Sequence, residues 1–201
     1  MKIENIIKEA LKDAIPYSQY RALVEGHVLN NSNTGAEVTE ALANYTALNH
    51  QRMKRLDKKV ELSPETQDFL ESLSPNFSFL VITESWCGDA AHVIPVLNKI
   101  AEAGSIDLKL VLRDENEALM NEFLTNGSKS IAKLIIYNSE SFEPIASWGP
   151  RPSTATQMVA DEKAAKGALS PEFKQELQKW YNKDKGKTIE KDMIAVIKSI
   201  Q

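Results

Sequence analysis

The sequence predicts an α/β fold, with a central mixed sheet flanked by helices, a helical N-terminal extension and extra C-terminal helices. Three observations predict it. From Phe77 onward, short apolar runs rich in β-favouring residues alternate with segments whose apolar residues recur at helical spacing. The first 75 residues carry helical spacing throughout. Punctuation by Pro, Gly and Ser falls where these segments meet, at Pro16, Ser63-Pro64, Gly149-Pro150 and Gly167 to Pro171.

Each element follows from its residues. Ile3, Ile6, Ile7, Ala10 and Leu11 form one helical face, Pro16 ends that helix, and Tyr17 to Leu29 starts another. Asn30 to Gly35 is a loop by composition. A longer helix is expected from about Glu37 to Asp57, with Leu42, Tyr45, Leu48, Met53 and Leu56 turned to the core. Its end is basic, with Arg52, Lys54, Arg55, Lys58 and Lys59 close together, and such a run reads as a solvated face. Ser63-Pro64-Glu65 opens a further helix.

Phe77 to Thr83 is a strand, and Ala90 to Ala103 a helix with Ile94, Leu97 and Ala101 on one side. Ile106 to Leu112 and Lys133 to Tyr137 read as strands around a polar helix from about Asp114 to Leu124. Phe142 to Trp148 is a hairpin partner, followed by a helix opened by Pro152 or Ser153. Beyond the turn at Gly167 to Pro171 come a helix through Trp180-Tyr181 and a last helix carrying Met193, Ile194, Ile197 and Ile200. The expected division is residues 1–75 as a helical extension and 76–201 as the α/β domain with its C-terminal helices.

Composition excludes several classes of function. At 201 residues with 42% hydrophobic content, the chain has enough apolar material for a core without disulfide staples. A net charge of −4 gives no reason to propose nucleic acid as a partner, and no run is apolar for long enough to span a membrane. Met1 to Lys12 mixes charge into an amphipathic pattern and does not read as a signal peptide. The single cysteine fits a reducing compartment, with the cytoplasm as the default. With one cysteine and three scattered histidines there is no metal-ligand spacing, so no metal is expected.

That cysteine, Cys87, lies where the strand Phe77 to Thr83 turns into the next helix. The unpaired N–H groups and the positive end of the dipole there favour a thiolate, so a lowered pKa and a nucleophilic sulfur are expected. Asp89, in the first turn, is expected to cap the helix, its charge opposing the thiolate; proton relay is its other reading. His92 lies about 140° around the helix from Cys87 and reads as a packing histidine.

With Trp86-Cys87-Gly88 at a helix start and Pro95 eight residues past the cysteine, the chain resembles the thioredoxin superfamily. The resemblance is to its bacterial proteins with a helical N-terminal extension, and the order of elements from Phe77 to Gly167 extends it. In the extension it rests on Tyr45-Thr46-x-x-Asn49 and Arg52-Met53-x-Arg55, for which it implies no chemistry. It implies a thioredoxin-like core lacking its first strand and helix.

Departures from the family pattern are equally specific. Ala90 occupies the place of the second cysteine of C-x-x-C, so the chain cannot form an internal disulfide. The family's cis-proline position falls on Ala132, after Ile131. A cis bond before a non-proline residue costs about 2.5–4 kcal/mol, and a trans peptide is therefore expected. The family's buried acid, six residues before the cysteine, is replaced by Val81. The resemblance also implies that the loop Trp148-Gly149-Pro150-Arg151 borders the site. There Arg151 would stabilise a thiolate or hold the carboxylate of a small thiol such as glutathione.

Two functions are compatible with these residues. In one, Cys87 performs monothiol thiol–disulfide exchange on a small thiol or protein disulfide. An external low-molecular-weight thiol such as glutathione then acts as co-substrate, with no tightly bound cofactor. In the other, the protein is a non-enzymatic binding module using a groove around Trp86, Ile131 and Trp148, with Cys87 idle or acting as an oxidation sensor.

Overall fold

A computed structural model describes residues 2–201, so Met1 of the expected N-terminal extension lies outside it. In chain order the elements are α1 (Ile3–Ala10), β1 (Ile15–Pro16), α2 (Tyr17–Leu29), α3 (Glu40–Lys59), α4 (Pro64–Glu71), β2 (Phe77–Thr83) and α5 (Ala90–Ala103). There follow β3 (Leu108–Leu112), α6 (Glu117–Glu122), β4 (Lys133–Asn138), β5 (Pro144–Trp148), α7 (Ser153–Lys166), α8 (Pro171–Asp184) and α9 (Lys187–Ser199).

The strands form one mixed sheet in the order β1-β3-β2-β4-β5. β2 is central: it runs parallel to β3 and antiparallel to β4, and all seven of its residues are buried. A strand buried on both faces is largely apolar, which is why FSFLVIT shows no strict alternation and its two polar residues, Ser78 and Thr83, are buried as well. Each of Leu80, Val81 and Ile82 contributes about 1.5–3 kcal/mol through burial, and Val81→Asp would place a charge with no partner between Leu110 and Leu134. β5, at the edge, does alternate, between half-buried and exposed residues.

Two expectations about the first part of the chain are corrected. The first 75 residues are not helical throughout, because Ile15 and Pro16 pair antiparallel with Leu110 and Lys109. Two residues are too few to show a period of two, and Pro16, which has no N–H to donate, is confined to such an edge. The long helix starts at Glu40 rather than Glu37, where the Thr39 side chain accepts from the Leu42 N–H. The same capping by Ser63 and Ser170, each followed by proline, fixes the starts of α4 and α8.

α5 packs against α3, α4 and α9, and its apolar residues are buried almost all round. Pro95 lies inside it and deprives the Ala91 carbonyl of its helical donor. A second, smaller cluster of Ala155, Val159, Phe173, Leu177 and Tyr181 joins α7 to α8 and carries Tyr181 to the start of α5. No helix among the described residues is long and apolar enough to cross a membrane.

Candidate functional site around Cys87

The turn from β2 into α5 is built on Ser85. Its N–H donates to Thr34 Oγ1 at 2.8 Å, its hydroxyl accepts from the Thr34 N–H at 3.0 Å, and its carbonyl accepts from Asn49 Nδ2 at 2.9 Å. Thr46 Oγ1 lies 2.8 Å from the same hydroxyl. Ser85, Thr46 and Asn49 are all fully buried, so every one of these groups needs its partner. Arg52 continues the chain of contacts, donating to Asn49 Oδ1 at 2.9 Å and lying with Gln178 beside Gly88. The Tyr45-Thr46-x-x-Asn49 segment and the Asn30 to Gly35 loop thus hold the cysteine turn. Sequence reasoning missed this role; the buried polar residues Thr46 and Asn49 on a helix face were its only signal.

Cys87 stands just before α5, its carbonyl accepting from the Ala91 N–H at 3.2 Å. Its thiol donates to the Ile131 carbonyl at 3.2 Å, and the Ala90 N–H reaches the sulfur at 3.5 Å. Only 8% of the residue is exposed. Burial, and after it the Asp89 carboxylate, push the thiol pKa up to about 12; the Ala90 and Asp89 N–H groups and Arg151 oppose them and are outweighed. This corrects the expected lowering. A helix N-terminus favours a thiolate in solvent, and here desolvation is the larger effect.

Asp89 does not cap α5 with its side chain. Its Oδ2 lies 2.6 Å from Arg151 Nη2, and its Oδ1 accepts from the Tyr181 hydroxyl at 2.9 Å. Burial raises the Asp89 pKa, while Arg151 and Tyr181 pull it back. Arg151 therefore reaches the site, as expected, but is committed to Asp89 rather than to the sulfur. His92 is a packing residue: its ring stacks on Tyr181 at 4.3 Å, Nε2 donates to Gln178 Oε1 at 2.9 Å, and burial lowers its pKa to about 4.

The Ile131–Ala132 peptide is cis, which corrects the expected trans bond. In this form the Ile131 carbonyl meets the Cys87 thiol. The packing around Ala132 leaves little room: a Cβ on Gly149, whose φ is +109°, would come within 2.3 Å of the Ala132 carbonyl oxygen, so glycine alone fits there. Gly149–Pro150 is also cis. Cys87, Asp89, Ile131, Ala132, Gly149 and Arg151 are thus brought together by the cysteine turn and two loops.

The two tryptophans are not joined in one groove. Trp86 Nε1 donates to the Thr34 carbonyl at 3.1 Å, and the Arg113 guanidinium lies 4.9 Å from its ring centre. Trp86 lines a cleft of about 510 Å³ with Leu42, Arg113 and Asp114, and neither Ile131 nor Trp148 lines it. Trp148 ends β5 opposite Leu134 and packs against the core. An acid is nevertheless buried near the cysteine. Glu84, three residues before it, accepts from the Asp114 N–H at 3.0 Å through Oε1 and leaves Oε2 without a partner. Burial raises its pKa, while hydrogen bonding, the Asp114 N–H included, pulls it back. Glu84 stands three residues nearer the cysteine than the family position at Val81, so the family pattern does not point to it.

The sequence model of the family described as Thioredoxin matches residues 35–165, well over half of the chain. Among solved structures, a protein of unknown function, PA1234 from Pseudomonas aeruginosa, is similar in fold, with a TM-score of 0.58 and 16% identity over 77% of this chain and 87% of that one. An HIV epitope scaffold aligns at a TM-score of 0.49 and 15% identity, over 71% of this chain and 81% of that one. Comparison with curated proteins gives no match.

Proposed function

The chain belongs to the thioredoxin family, and from that premise we propose that it performs monothiol thiol–disulfide exchange through Cys87, with the sulfur held protonated at rest. The observation that carries this reading is the position of the sulfur just before the N-terminus of α5, between the Ala90 N–H and the Ile131 carbonyl.

Exchange begins when Cys87 loses its proton to solvent and the thiolate attacks a mixed disulfide R–S–S–R′. The bond from Cys87 Sγ to the sulfur of R forms, the original S–S bond breaks, and R′S⁻ leaves and takes up a proton. The thiolate of a second thiol then attacks Cys87–S–S–R, giving a new disulfide and returning the Cys87 thiolate, which is reprotonated. Neither step needs another oxidant or reductant. Glutathione or an equivalent small thiol is the co-substrate, the substrate is a small or protein disulfide, and the setting is a reducing cytoplasm. Asp89 and Arg151 govern the first step: while Arg151 pairs with Asp89 the thiol stays protonated, and an Arg151 released to the sulfur or to a thiol's carboxylate favours attack. The division at residue 75 belongs to this reading too, with 1–75 as the extension whose Thr34, Thr46 and Asn49 support the cysteine turn.

Burial of Cys87 and its raised pKa favour a second reading, a non-enzymatic module in which the thiol is idle or senses oxidation. Incubation with oxidised glutathione, followed by intact mass, separates the two. Exchange predicts a slow glutathione adduct on the wild type, a faster one on Asp89→Asn, none on Cys87→Ser, and turnover when coupled to glutathione reductase. Absence of the adduct from both wild type and Asp89→Asn would leave only the module.

A further inference from the structure

The basic run at the end of α3 does not face open solvent alone. It forms one wall of a cleft of about 570 Å³ whose other wall is the α8–α9 turn. Arg55, Lys58 and Lys59 on one side meet Lys185 and Lys187 on the other, with Glu61 the only carboxylate lining the cleft. We infer that this cleft binds a small metabolite carrying two or more linked phosphate groups.

Among the described residues, none of the five cleft cations lies within ion-pairing distance of a carboxylate, a property they share with other lysines of the chain, and what sets the five apart is their gathering around one cleft. Lys58 and Lys59 are suited to the last turn of α3, where a cation complements the helix dipole. Lys187 opens α9, where a cation opposes it, and the cap there is supplied by Asp184, which accepts from the Thr188 N–H. Lys187 therefore gains nothing from its own helix.

The turn that presents Lys185 and Lys187 is also fixed in place. Gly186 between them has φ +86°, and a Cβ there would meet Val96 Cγ2 of α5 at 2.7 Å. On the opposite wall Arg55 donates to Asn182 of α8, tying the two walls together. Five cations converging in a chain of net charge −4 repel one another, and an anion seated among them removes that cost. The volume suits a small molecule. Leu56 and Tyr181, both buried, offer an apolar floor for its uncharged part. A concave site with basic groups on facing walls and a net negative chain around it favour such a ligand over nucleic acid.

Calorimetric titration of the full chain with inorganic tripolyphosphate at fixed ionic strength tests the inference. Saturable one-to-one binding is expected, weakened about tenfold or more by Lys58→Gln/Lys59→Gln and also by Lys185→Gln/Lys187→Gln. Lys163→Gln/Lys166→Gln on α7 should leave it unchanged, as should Cys87→Ser, since the cleft acts independently of the thiol. Should a double variant not fold, Lys59→Gln and Lys187→Gln singly give the same comparison. No saturable binding, binding that neither wall's variants weaken, or tighter binding of a single-stranded oligonucleotide would each overturn it.

Discussion

The two sides of the cysteine turn are held by different physics. On the N-terminal side, Ser85 is fixed by Thr34, Thr46 and Asn49 through neutral hydrogen bonds. On the C-terminal side, Asp89 is held by Arg151 and Tyr181, and Tyr181 stacks on a histidine that burial keeps neutral. Neutral bonds position the backbone of the turn irrespective of pH, whereas the charged side adjusts the protonation of the sulfur that burial chiefly sets. Position and reactivity of Cys87 are therefore separable properties.

Changing Ser85 to Ala should have the largest effect. It leaves the Thr34 N–H without a partner in the interior and removes the contacts of the Thr34 and Thr46 hydroxyls with Ser85, at a cost of about 3 kcal/mol. Urea unfolding at pH 6 and pH 9 should give the same loss; a loss that changes with pH would mean that the two sides are not independent.

His92 comes next. Its folded pKa, about 4, lies below the unfolded value of about 6.5, so on acidification the unfolded chain takes up the proton first. Stability contributed by neutral His92 is complete above pH 6.5 and falls as the pH drops towards 4, by about 2.5 kcal/mol at pH 4.5. His92→Gln should flatten that acid limb, and an unchanged limb would assign it to other groups.

Cys87 has the opposite sign. With a folded pKa of about 12 against an unfolded value of about 8.5, the folded state keeps its proton while the unfolded chain loses it. Stability falls as the pH rises above 8.5, by about 2 kcal/mol at pH 10. Measured against Cys87→Ala, the wild type should lose that extra amount on the alkaline limb.

Much of the fold was legible because period and punctuation agree: the buried run of β2, the helix-period α5, and the Ser-Pro starts of α4 and α8 all follow from local residues. β1 was not, since two residues carry no period. At the site, the place of Cys87 and the approach of Arg151 could be read from the order of elements. The protonation of the sulfur could not, because it depends on how deeply Cys87 is buried and on which partner Arg151 takes, and that partner, Asp89, is itself held by Tyr181, ninety-two residues further along the chain. The Ile131–Ala132 peptide escaped as well: local cost argued for trans, and the peptide is cis. Thr34, Thr46 and Asn49 act on the turn from more than thirty residues away, beyond the reach of any local pattern.

The smallest expected effect tests the central claim most directly. The rate of Cys87 alkylation by iodoacetamide, followed against pH, reports the thiolate fraction, with Asp89→Asn removing the charge that raises the thiol pKa without changing the shape of the side chain. The wild-type rate should still be climbing at pH 10, and Asp89→Asn should react about tenfold faster at pH 8, the equivalent of one pKa unit. A wild-type rate that levels off at or below pH 8.5, with no acceleration in Asp89→Asn, would contradict a thiol held protonated by burial and Asp89.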